Sequence, residues 1–179
     1  MVGWCAVLAA TDGLVLFLAM RGTNNHWVNY VATPVTSGLV LWALSHWQLT
    51  KRGKTVLRIL IPGLAISWIA MVVSVEDMTT FSLVAGPFQG LLLMGAAIWV
   101  LVTRTARETG RLREQDWLWI GIGLVVYFGS VVALPPASYL LMATSPQLVI
   151  RAYEIRGALN ILAFMLIARG FFCRSRGVG

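Results

Sequence analysis

The chain has 179 residues, of which 58% are hydrophobic and 12% charged, and carries a formal net charge of +7. Soluble globular chains run at about 45–50% apolar and about 25% charged, so this composition excludes a water-soluble monomer, and the length excludes a soluble domain beside a membrane-embedded one. An excess of bases would suggest nucleic acid in a soluble protein, but here the bases flank apolar segments, which assigns them to lipid head groups and excludes a nucleic-acid partner.

A helix that crosses a bilayer needs about 20 predominantly apolar residues. Six stretches qualify, and they predict an all-α polytopic membrane helix bundle, one domain over residues 1–179. The first, 2–20, lacks a basic opening and runs straight into Asp12, unlike a cleaved signal peptide. The second, 28–47, follows an Asn-rich connection and carries Thr33-Pro34 near its start. The third, 57–75, comes after Lys51, Arg52 and Lys54 and contains Pro62-Gly63. The fourth, 81–103, follows an acidic connection from Glu76 and contains Gly86-Pro87. These two Gly/Pro pairs are a weak echo of an inverted three-plus-three repeat. The fifth, 117–134, is short and carries Gly121, Gly123 and Gly129, which read as close-packing residues. After it, 135–147 is uncharged and holds three prolines expected to break helix. The sixth, 148–170, is polar in its first half.

Orientation follows from the bases. Lys51, Arg52, Lys54 and Arg58 flank one inner connection, and Arg104, Arg107, Arg111 and Arg113 lie in the next; Arg169, Arg174 and Arg176 close the chain. The opposite ends carry little beyond Arg21, apart from Arg151 just inside the sixth segment. The positive-inside rule then places both termini in the cytoplasm. Trp4, Trp27, Trp47, Trp117 and Trp119 fall near expected interfaces, as an aromatic belt requires.

Charge inside the membrane marks where chemistry is to be sought, at roughly 2.5–3.5 kcal/mol per unpaired group on insertion scales. Asp12 is expected near the midplane, about 15 Å from one end of its helix, and Arg156 about 12 Å from the opposite face. An intramembrane Asp12–Arg156 pair joining the first and last helices is expected, because each ion needs a counter-charge. Arg151 and Glu154, spaced i, i+3, support it, and Asn160 extends the polar row. A structural clamp is the bland reading of this row, and an ion relay or anion site the functional one. His26 and His46 stand about 20 residues and hence about 30 Å apart along a helix, so they share no metal. His46, between Trp42 and Trp47, is a candidate macrocycle ligand or a head-group histidine. Asn24, Asn25, His26 and Asn29 form a polar outer cluster, followed by Thr33-Pro34 and Thr36, Ser37 and Gly38, which reads either as a loop cap before a proline-softened helix or as a small outer binding mouth. Cys5 and Cys173 have no metal-ligand spacing and lie near the reducing face. There is no HExxH, GxSxG, CxxC or phosphate-cradling loop, and no nucleophile with a nearby base, so no catalytic residue and no enzyme activity is expected.

The stretch from Arg21 through Asn29 to Pro34, a short Asn-bearing loop before an aromatic-rich helix with an early proline, is similar to small uncharacterised multi-span bacterial membrane proteins. That resemblance implies a bacterial inner membrane and no particular activity. The expected function is a non-catalytic accessory subunit of a larger membrane complex, of respiratory or photosynthetic type, packing against other subunits, lipid or pigment. The alternative is a small ion-coupled transporter or channel using Asp12, Glu154 and Arg156.

Overall fold

In hydrocarbon a chain must satisfy its own backbone N–H and C=O groups, and an α-helix does so within one segment. The computed structural model describes residues 1–76, 78–79, 82–142 and 145–173. Among them are six α-helices: α1 (Val2–Met20), α2 (His26–Trp47), α3 (Lys51–Ser74), α4 (Ala85–Thr105), α5 (Asp116–Met142) and α6 (Pro146–Phe172). A single 3-10 turn, Leu112–Glu114, precedes α5. Five helices are long and apolar enough to cross a membrane: α1, α3, α4, the Asp116–Leu134 stretch of α5 and the Gln147–Phe172 stretch of α6. The helix outside this group is α2, which carries His26, Asn29, Thr33, Thr36, Ser37, Ser45 and His46.

Helix boundaries differ from the expected ones where capping and prolines intervene. α3 starts at Lys51 rather than Leu57, because Thr50 caps it: the Thr50 hydroxyl accepts from the Gly53 N–H at 3.1 Å. The basic residues of that connection are therefore helical. α4 starts at Ala85 rather than Phe81, so Pro87 lies in its first turn, where a missing N–H costs nothing. Pro62 lies in mid-helix in α3. The two prolines thus occupy different places in their helices, and the echo of an inverted repeat loses its basis. α5 does not stop at Leu134 but continues across Pro135 and Pro136 to Met142. An interior proline costs about 3 kcal/mol in water.

The helices form two compact units. The first comprises Met1–His46 and Thr50–Gln89, that is α1, α2, α3 and the head of α4; the second comprises Trp47–Leu49 and the chain from Gly90 onward. In the first unit, Tyr30, Trp68, Val72 and Ala85 form a buried cluster with Met71 packed on it. In the second, α5 and α6 lie side by side. Gly123 and Gly170 permit that approach: a Cβ on Gly123 would stand 2.8 Å from the Ala163 carbonyl oxygen, and one on Gly170 would stand 3.0 Å from that of Asp116. Small residues bring helix backbones together where no hydrophobic force between helices is available. Gly121 is filled from α4, by the Leu101 side chain. Gly129 meets only the Met94 sulfur, at ordinary contact distance.

Candidate functional site

The richest polar arrangement lies at one end of the first unit, around the start of α2. Its origin is local. Gly22, at φ +66°, turns the chain out of α1. Asn25 Nδ2 then donates to the Val15 carbonyl at 3.1 Å, tying the connection back to α1. Asn24 Oδ1 accepts from the His26 N–H at 2.9 Å and so caps the first turn of α2. Both asparagines therefore serve the loop.

Pro34 shapes the next turn. It has no N–H, so the Tyr30 carbonyl four residues earlier lacks its helical donor. Trp68 of α3 supplies a substitute: its indole Nε1–H donates to the Tyr30 carbonyl at 3.1 Å, fully buried. The Thr33 carbonyl is crowded with donors, taking Thr36 Oγ1 at 2.9 Å, Ser37 Oγ at 2.7 Å and Gln89 Nε2 at 3.0 Å.

The head of α4 is capped by a carboxylate from outside the helix. Glu76 Oε1 accepts from the backbone N–H groups of Val84 and Ala85 at 2.8 and 2.9 Å and from Ser82 Oγ at 2.9 Å. Ser82 Oγ in turn accepts from the Gly86 N–H at 2.7 Å. Negative charge at a helix N-terminus is favoured by the macrodipole as well as by these bonds. Two acceptors are left over: Glu76 Oε2 and Gln89 Oε1 are buried with no hydrogen-bond partner among the described residues. Between these elements lies a cavity of about 80 Å³, lined by His26, Asn29, Tyr30, Thr33, Trp68, Ser82 and Gly86.

The second unit carries a polar contact inside the bundle and aromatic–cation contacts at its basic end. Ser130, almost fully buried on α5, places Oγ 2.7 Å from the Tyr127 carbonyl and 3.0 Å from Asn160 Oδ1 of α6. The Arg104 guanidinium lies over the Trp117 ring at 5.3 Å, and that of Arg169 over the Trp119 ring at 3.9 Å. Such stacking lets a cation cover an indole while its head stays in water. Trp119 Nε1 donates to the Arg113 carbonyl at 2.9 Å and anchors the 3-10 turn. Arg111 and Glu114 pair at 3.6 Å, fully at the surface, where such a pair contributes little.

The residues singled out by sequence fall as follows. Asp12 is exposed half-way along α1 in the first unit. Arg156 is half-buried on α6 in the second, with Arg151 and Glu154 exposed beside it and Asn160 turned toward Ser130. His46 is exposed; its Nδ1 bonds the Trp42 carbonyl at 2.9 Å and its ring meets that of Trp42 edge-on. Arg58 stacks on the same indole at 4.9 Å. Among the described residues no three His, Cys, Asp or Glu side chains gather as metal ligands. Glu76, Trp68, Ser82 and Gln89 were missed by sequence reasoning. One signal for Gln89 was present, since it is the single amide in the apolar run of α4. No family model matches this chain, and no curated protein or solved structure is significantly similar to it.

Proposed function

We propose that this protein crosses a bacterial inner membrane six times, with both termini in the cytoplasm, and works there as a non-catalytic subunit packed against other transmembrane subunits of a larger respiratory or photosynthetic complex. One observation supports the reading: charged side chains stand on the exposed surface of a helix long and apolar enough to cross a membrane, Arg151 and Glu154 in the first half of α6. Hydrocarbon does not solvate such groups, whereas polar side chains of a neighbouring subunit do. α1 has little cover of its own, burying only Trp4 and Thr11.

The sixth crossing is α2. Its polar residues do not disqualify it, because Val28, Tyr30, Ser37, Val40, Leu41, Leu44 and Ser45 are covered by protein rather than lipid. Its length of 22 residues spans about 30 Å of hydrocarbon. The bases at the start of α3, the end of α4 and the end of α6 then share the cytoplasmic side. Reporter fusions at the two termini are expected to report the same, cytoplasmic side, and a reporter in the 21–25 connection the opposite one. Termini on opposite sides would remove α2 from the count.

The subunit reading is tested by a photo-crosslinking residue at Leu16, which is exposed on α1. In native membranes it is expected to capture one discrete foreign polypeptide at high yield. Adducts with lipid alone refute it. The transporter reading rests on the α6 row, where a half-buried Arg156 stands one turn from the bonded Asn160. It requires an ion flux in liposomes that Asp12→Asn abolishes. Asp12 and Arg156 belong to different units, and their expected pairing has a direct test. The double variant Asp12→Asn/Arg156→Gln should accumulate to a higher level than either single variant, since it removes both members of the expected pair together. Equal or lower accumulation sinks the pair.

A further inference from the structure

α6 has two unlike sides. The side toward α5 carries Asn160, which meets Ser130, and Ala163 and Ile167, which pack over Gly123. On the opposite side Arg151, Glu154, Ala158, Ile161 and Met165 follow one another at alternating steps of three and four residues, and all are exposed. Steps of that kind hold a narrow seam against one neighbouring helix. Ala158, midway along it, is small enough to let a second backbone come close.

The seam has a charged end. Arg151 and Glu154 lie about 8 and 12 Å along α6 from Pro146. They stand about 60° apart around the helix axis, one on each flank of the seam. Neither makes an ion pair among the described residues. Each therefore needs a counter-charge wherever this face meets hydrocarbon.

The two flanks complement each other. A two-fold axis parallel to α6 brings the Arg151 flank of one helix against the Glu154 flank of its mate, and the reverse on the other side. Two ion pairs form from one pair of residues. Copies of one chain insert with the same orientation, so their α6 helices run parallel, as that axis requires. A foreign helix would have to present a base and an acid at matching depth, which this chain already does for itself. On the subunit reading given above, we propose that the neighbour along this face of α6 is a second copy of this chain, held by reciprocal Arg151–Glu154 pairs and by contact across Ala158, Ile161 and Met165.

The test is made on the full chain in native membranes. With Cys5 and Cys173 replaced by Ser, Ala158→Cys is expected to give a disulfide-linked dimer on mild oxidation. Leu159→Cys, exposed but turned about 120° from the seam, is expected to give little. In the Ala158→Cys chain, Arg151→Glu or Glu154→Arg alone sets like charges face to face and should lower the dimer yield about tenfold or more. Arg151→Glu/Glu154→Arg together restores the complement and should return the yield to its starting level. That recovery also shows that the reversed side chains do not prevent folding. A foreign partner would be lost in the double reversal as in the single ones, and lipid would respond to none of them. A photo-crosslinking residue at Met165 reads the occupant directly, an adduct of twice the chain mass being expected. A foreign polypeptide captured at Met165 overturns the second copy and leaves the subunit reading standing. Lipid adducts alone at Met165 also overturn it, and the subunit reading is then decided separately at Leu16. Equal dimer yields from Ala158→Cys and Leu159→Cys, or a yield that ignores the charge reversals, overturn the proposal as well.

Discussion

Gly123→Ala is expected to destabilise the second unit by about 1–3 kcal/mol, the usual cost of forcing a methyl into a packed contact. The new Cβ would meet the Ala163 carbonyl oxygen at 2.8 Å, Ile167 Cγ1 at 2.6 Å and the Ile167 nitrogen at 3.2 Å. Two of those three atoms are backbone, so relief requires α6 to move as a body. Gly170→Ala should behave alike, since its Cβ meets the Asp116 carbonyl oxygen at 3.0 Å and Ile120 Cγ1 closer still. Gly121→Ala should cost less, because Leu101 meets it with the end of a flexible side chain. Gly157→Ala on α6 is the control, with nothing within 4 Å of the new methyl, and should be neutral or slightly stabilising. Unfolding in mixed bicelles, followed by tryptophan fluorescence, ranks the four. A Gly123→Ala protein as stable as Gly157→Ala would mean that α5 and α6 are not packed at this register.

Trp68→Phe should cost about 1–3 kcal/mol, chiefly because it removes the indole donor from the buried Tyr30 carbonyl. The loss depends on Pro34, whose missing N–H is the reason Trp68 is needed. Pro34→Ala restores a helical donor to the same oxygen. In the double variant Pro34→Ala/Trp68→Phe the loss should therefore be smaller than the sum of the two single effects, by about 0.5–3 kcal/mol, the range for residues sharing a partner. Strict additivity would show that indole and proline do not act on one carbonyl. The cycle also bears on the cavity, because the same bond commits the Trp68 donor and leaves its ring to line the void.

The polar run from Asn24 to Thr36 was legible, since polar residues opening an apolar segment are conspicuous. Its partners were not. Trp68, Glu76, Ser82 and Gln89 come from α3, the connection after it and the head of α4, and no spacing rule links them to α2. Proline misled in both directions. Pro135 and Pro136 read as a stop by a rule drawn from water, yet the helix continues; Pro87 read as lying inside its helix, yet it stands in the first turn. Among the glycines the type was legible but the role was not: Gly123 touches a neighbouring backbone, Gly129 only a sulfur and Gly157 nothing.

Composition and the positions of charge were enough for the all-helical class, the presence of helices long and apolar enough to cross a membrane and their approximate course, because those depend on each segment's own apolarity, residue by residue. Which faces meet, which carbonyl takes which donor and where a void remains were decided by the tertiary structure alone. A segment apolar all round has no stripe to mark its buried side. Between such segments, packing rests on close fit and single hydrogen bonds, which exist only once the helices stand next to one another.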